Sequence, residues 1–257
     1  MYEYEGLQDV IFIALYCVAA FAALLACVYL LCRRGNAFMQ EKGPESVKTI
    51  ETPNGPLRLG SGVRSSLRLR RWTAALMAAI VGSHVWWYAL GHIWLTDDRL
   101  VRNIIAIALD HVTLVPLTMA VLLAMLQDRR RPLWPWLVAE VSAVVVTAVM
   151  GIAGRDEFWG YDVLGYCQLA LIAGFIVYYA LALRYYGRWL RDNYANLEHK
   201  EVWQSLVFAV GLFVVYEVYT SNGGELLREY LSQVVTLVII AFLLWRVETL
   251  QELKDEA

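Results

Sequence analysis

Charge is what this sequence has least of. Asp, Glu, Lys and Arg make up 18% of its 257 residues, where a soluble domain carries about 25%. With 59% hydrophobic residues and a mean hydropathy of +0.49, that shortage excludes an ordinary water-soluble domain. Cysteine is sparse as well. Cys17, Cys27, Cys32 and Cys167 form no CxxC pair, so they read as buried reduced thiols. The N-terminus lacks the basic stretch of a cleavable signal and carries Glu3, Glu5 and Asp9 instead. No internal repeat is visible. Inverted repeats are a common transporter architecture, so their absence counts against a transporter.

Long apolar runs, by contrast, are abundant. They come in blocks of about 20 residues, the length that crosses a hydrocarbon core. Seven spans are predicted, at residues 10–31, 72–95, 103–126, 133–152, 162–183, 203–220 and 227–247. The fold class is therefore all-α, a polytopic seven-transmembrane bundle filling residues 1–253. The intervals fix its orientation. With Met1 outside, only Arg99, Arg102, Arg155 and Arg228 of the 22 Lys and Arg fall on the outer side, and the other 18 fall inside. Trp72, Trp134, Trp136, Trp203 and Trp245 mark the inner border; Trp94 and Trp159 mark the outer one. Ala19, Ala22, Ala23 and Ala26 give the first span a small-residue face for close packing. Pro116 is expected to kink the third.

Two basic intervals are predicted as cytoplasmic loops. The longer, 33–71, holds nine Lys or Arg with Pro44, Pro53 and Pro56, and its segment 65–71 reads as an amphipathic lead lying on anionic lipid. The second, 184–202, opens with Arg184 and carries Arg188, Arg191 and Lys200 between Tyr185 and Trp203.

Ionisable groups inside spans are costly and are candidates for function by default. Depth counted from the polar borders places His92, Tyr166 and Glu217 close to the outside, with Asp110 and His111 somewhat below. These five are the ligand-binding or proton-sensing candidates, converging on one outward-open pocket. His84, near mid-membrane, and Glu140, in the inner half of its span and apart from that group, are secondary. Three chemistries stay open for the five. They can form hydrogen-bonded packing pairs such as Asp110 with His92, bind a polar ligand or proton, or hold zinc. No HExxH spacing supports a metal site, so no metal, no cofactor and no catalytic residue are assigned. A retinal protein is excluded, because Lys42, Lys48, Lys200 and Lys254 all lie outside the spans. Seven-span zinc hydrolases of the progestin/adiponectin-receptor type place histidines in the last span, and this one has none.

The last span runs on without a breaker into 248–257, with Leu243, Val247 and Leu250 at 4- and 3-residue steps. That is the start of a cytoplasmic linker helix with a partial coiled-coil seam, facing the same helix of a second copy. The segment around Arg188 and Trp189, the string RDNYANLEHKEVW at 191–203 and the residues from Trp245 to Leu250 resemble the membrane half of bacterial membrane-anchored AraC-type helix-turn-helix regulators. The resemblance covers about residues 184–253. It implies an inner-membrane sensor that detects an external or membrane-borne signal and relays it through the last helix to a cytoplasmic transcription-regulating domain. The expected partner is a small-molecule or peptide ligand, which the resemblance does not name. It also implies action in pairs. The sequence ends at Ala257, where the DNA-binding part would begin, so nucleic-acid binding is not expected of this chain. A small-molecule or proton-coupled transporter is the alternative, and a metal-dependent membrane enzyme ranks below it.

Overall fold

A computed structural model describes residues 7–33, 47–52, 55–60, 65–92, 99–153, 160–194, 197, 200–220 and 225–253. Seven helices follow in order: α1 (Leu7–Cys32), α2 (Leu67–His92), α3 (Arg99–Met125), α4 (Trp134–Ala153), α5 (Gly160–Asn193), α6 (Trp203–Thr220) and α7 (Glu225–Thr249). Five of them, α1, α2, α3, α5 and α7, are long and apolar enough to cross a membrane. The other two contain shorter apolar segments, Trp134–Val146 and Trp203–Tyr216. Large apolar side chains cover the outside of the bundle. Phe21 is 60% exposed, Leu31 63%, Val149 59% and Val177 61%. Water would not tolerate an apolar surface of that extent, whereas lipid matches it. The chain is a multi-pass helical membrane bundle.

The helices close into a ring. Each packs on its neighbours in sequence, α7 returns to α1, and α7 also touches α2. Side-chain contacts place the C-terminal ends of α1, α3, α5 and α7 together with the N-terminal ends of α2 and α6. Chain direction therefore alternates. Most of the fully buried large side chains, including Leu69, Met77, Met125, Tyr186, Leu190 and Leu243, lie towards that end. Exposed Trp134, Trp203 and Trp245 ring it, as an interfacial aromatic belt would. Trp94 and Trp159 lie outside the described residues. The Ala19, Ala23 and Ala26 face is fully packed, at 0–3% exposure, with Ala22 against its side.

Several boundaries differ from expectation. The 33–71 interval is not all loop: β1 (Val47–Thr52) and β2 (Gly55–Gly60) pair antiparallel, with Val47 opposite Gly60 and Thr52 opposite Gly55. Residues 67–71 are not a segment separate from the second span. They form the first turn of α2, capped by the Ser66 hydroxyl, which accepts from Leu69 N at 3.1 Å, and Leu69 and Arg70 are buried. The interval 184–202 is helical as far as Asn193, because Leu183, Tyr186 and Leu190 continue the inward stripe of α5 at 3- and 4-residue steps. Thirty-four residues make α5 about 51 Å long, well beyond a hydrocarbon core of about 30 Å. Finally, α7 stops at Thr249 and residues 250–253 are not helical. The expected linker helix does not form there, and 254–257 lie outside the described residues. The seam residues Leu243, Val247 and Leu250 are each 0% exposed. They face the chain's own core, not a second copy.

Candidate functional site

A belt of polar side chains crosses the half of the bundle away from the basic end. On α2, Ser83 and His84 are neighbours in sequence and turn to different partners. Ser83 Oγ donates to Asp110 Oδ1 at 2.7 Å. Two indoles of α2 complete the Asp110 shell, Trp86 Nε1 at 3.1 Å from Oδ1 and Trp87 Nε1 at 2.8 Å from Oδ2. A carboxylate with three donors is well satisfied. His84 Nδ1 donates to the Ile80 carbonyl at 2.8 Å, and Nε2 meets the Gln233 amide of α7 at 3.1 Å. Tyr16 of α1 stacks at a tilt on the His84 ring, 4.6 Å between centroids, and its hydroxyl donates to the His84 carbonyl.

Asp110 is followed on α3 by His111, which turns to the opposite side. His111 Nδ1 lies 3.5 Å from Glu140 Oε1 of α4. Gln168 Nε2 of α5 donates to the same oxygen at 2.5 Å. Glu140 and Gln168 are both 0% exposed. Tyr216 of α6 sets its ring edge against His111 at 6.3 Å. Two pairs of adjacent residues, Ser83 with His84 and Asp110 with His111, thus join all seven helices. At 1.5 Å per residue these groups lie within about 20 Å of the non-basic ends of their helices.

The structure regroups the sequence candidates. Asp110 and His111 are in the belt. So are His84 and Glu140, which sequence depth had set apart. Glu140 is not isolated in the inner half: it contacts His111. Tyr166 stands 72% exposed on the surface of α5, away from the belt. The side chains of His92 and Glu217 lie outside those described, so their share in the pocket has no structural counterpart here. Tyr16, Gln168 and Gln233 were missed in the sequence. Their signal was a polar or phenolic group inside an apolar run. Among the described residues no cluster of three His, Cys, Asp or Glu is placed to hold a metal.

Comparisons with family models, curated proteins and solved structures find no match.

The basic end holds a second polar assembly. Arg70, in the first turn of α2, reaches Glu248, in the last turn of α7, with Nη1 to Oε1 at 3.4 Å. Their side chains are 4% and 1% exposed. Arg70 also donates to Ser65 Oγ at 3.0 Å and to the Arg33 carbonyl at 2.6 Å, and Tyr29 of α1 donates to Glu248 at 2.8 Å. Each charge sits at the helix end whose dipole opposes it, so each depends on the other. The final residues are tied down too. Gln127 donates to the Gln251 carbonyl at 2.9 Å and accepts from Leu253 N at 2.8 Å. Arg246 donates to the Glu201 carbonyl at 2.7 Å. Beside it, Leu183, Tyr186, Leu190, Val202 and Trp203 line a cleft of about 150 Å³ between α5 and α6.

Proposed function

We propose that the chain is a sensor domain of a bacterial inner membrane. All seven helices cross the bilayer, with Met1 outside and the basic end in the cytoplasm. A signal perceived at the polar belt passes along α7 to a cytoplasmic transcription-regulating domain, as the resemblance to membrane-anchored AraC-type regulators implies. One observation supports this most. The belt and the α7 exit are joined by the same two helices, through His84–Gln233 at one level and Arg70–Glu248 at the other. The ties are 14 residues apart on α2 and 15 on α7, about 21 and 22 Å of helix. Two buried ties at matched spacing make α2 and α7 one stiff couple. A ligand that favours one placement of the belt would shift the exit by its differential affinity.

Hydrogen exchange on the purified chain in lipid nanodiscs tests this. Gln233→Leu should speed exchange of the Leu250 and Leu253 amides, whose acceptors are the Arg246 carbonyl and Gln127. Lipid-facing Val238→Ala should not. Unchanged exchange at 250–253 in Gln233→Leu would leave the relay without support. A second reading, a proton-coupled carrier, is favoured by the buried His111–Glu140 contact. Proton-dependent solute flux in proteoliposomes separates it from the sensor.

A further inference from the structure

Glu140 is the only titratable residue of α4 and it is completely buried. Its two oxygens are treated differently. Oε1 accepts from Gln168 Nε2 and lies 3.5 Å from His111 Nδ1. Oε2 has no hydrogen-bond partner, and neither does Gln168 Oε1, on the amide already docked to the same carboxyl. An ionised carboxyl leaves both atoms as acceptors with nothing to accept. Buried groups left in that condition are costly, and an isolated carboxylate in a membrane bundle is more so. A single proton removes both deficits. Placed on Oε2, it makes that oxygen a donor, and Gln168 Oε1 is the acceptor the amide offers. Carboxyl and amide then bond to each other in both directions.

His111 completes the arrangement. Its Nδ1 also has no hydrogen-bond partner. As the Nε2–H tautomer it presents a free lone pair to the acid. Around the pair, α5 contributes neutral Gln168 and α6 contributes the Tyr216 ring against His111. The neighbouring charge on α3, Asp110, is turned to Ser83, Trp86 and Trp87 of α2. His111 is therefore the titratable contact of Glu140 among the described residues.

We propose that Glu140 is a proton-binding site, held as a carboxylic acid in a reciprocal pair with Gln168, and that His111 is the group through which its proton exchanges. Exchange first turns the carboxyl so that its O–H leaves Gln168 Oε1 and faces His111 Nδ1, the nitrogen beside the other carboxyl oxygen; it then breaks the O–H bond and forms an N–H bond at Nδ1. It leaves a carboxylate beside an imidazolium, and the pair's net charge stays zero throughout. The site serves a sensor or a carrier equally, so it stands apart from the relay through α7.

Infrared spectroscopy of the chain in lipid nanodiscs tests both halves. The difference between wild type and Glu140→Gln should contain a protonated-carboxyl C=O band that shifts in D₂O. The same band should persist in Asp110→Asn. If Glu140→Gln fails to assemble, Glu140→Asp should move the band instead. A difference spectrum with only carboxylate bands would overturn the proton site. His111→Asn should keep the band and slow its deuterium exchange about a hundredfold, the lower end of what a positioned proton-transfer group contributes. Exchange as fast as wild type would overturn the role of His111.

Discussion

Replacing Glu248 with leucine leaves the buried Arg70 guanidinium facing neutral acceptors, Ser65 Oγ and the Arg33 carbonyl. At the observed 3.4 Å the lost attraction is about 5 kcal/mol with an effective dielectric constant of about 20. Part of it returns as relief from desolvating the carboxylate, so the expected destabilisation is about 3–5 kcal/mol. The double variant Arg70→Met with Glu248→Leu removes both charges and fills the space with apolar atoms. It should recover most of the loss, so the two single losses should exceed the double variant's by at least about 3 kcal/mol. Equilibrium unfolding in mixed micelles, followed by thiol labelling of half-buried Cys27, measures all four corners of the cycle. A Glu248→Leu chain as stable as wild type would refute the reasoning. So would a double variant that simply adds the two single losses.

Other tests address other levels of the structure. Asp110→Asn weakens bonds from one hydroxyl and two indoles and should cost about 1–3 kcal/mol, with altered Trp fluorescence from Trp86 and Trp87; unchanged stability and emission would remove Asp110 from the belt's framework. Leu250→Ala should cost about 2–5 kcal/mol in thermal unfolding, while a cysteine at Val247 should fail to cross-link between copies, because both side chains are sealed within one chain. In a cysteine-free background, Lys48→Cys in β1 should react with an impermeant thiol reagent only after the membrane is opened. Labelling of intact cells would reverse the proposed orientation.

The helices were legible in the sequence because apolar run length is a direct consequence of bilayer thickness. Their ends were less so. At Tyr186 and Leu190 the inward stripe continues past the last run of purely apolar residues, and charged neighbours such as Arg184 and Arg188 hid it. The hairpin had a signal that the Pro and Gly content of its interval masked: β-branched Thr49, Ile50 and Thr52 ahead of Pro53, Asn54 and Gly55. The seam at Leu243, Val247 and Leu250 was seen, but a stripe at 4- and 3-residue steps has the same form against one's own bundle as against a second copy. Glu140 was misplaced for a geometric reason. Depth was counted from each span's own border, which assumes that all borders share one level. His111 lies about 21 Å from the basic end of α3, yet it meets Glu140 only about 9 Å into α4. Arg70 and Glu248 carried a readable clue: each charge stands at the unfavourable end of its helix dipole.

Ring closure between α7 and α1 has a consequence for biogenesis. A chain entering the membrane in sequence order lays down α1 to α6 as an open arc, with Arg70 already committed to the start of α2. Its described counter-charge, Glu248, follows 178 residues later, in the last turn of α7. The arc cannot neutralise that cation from within its own described contacts until translation of α7 is nearly finished. Closure of the ring thus waits on the synthesis of α7. A chain stopped short of Glu248 would keep an open seam and an unmatched charge, both costly inside a bilayer.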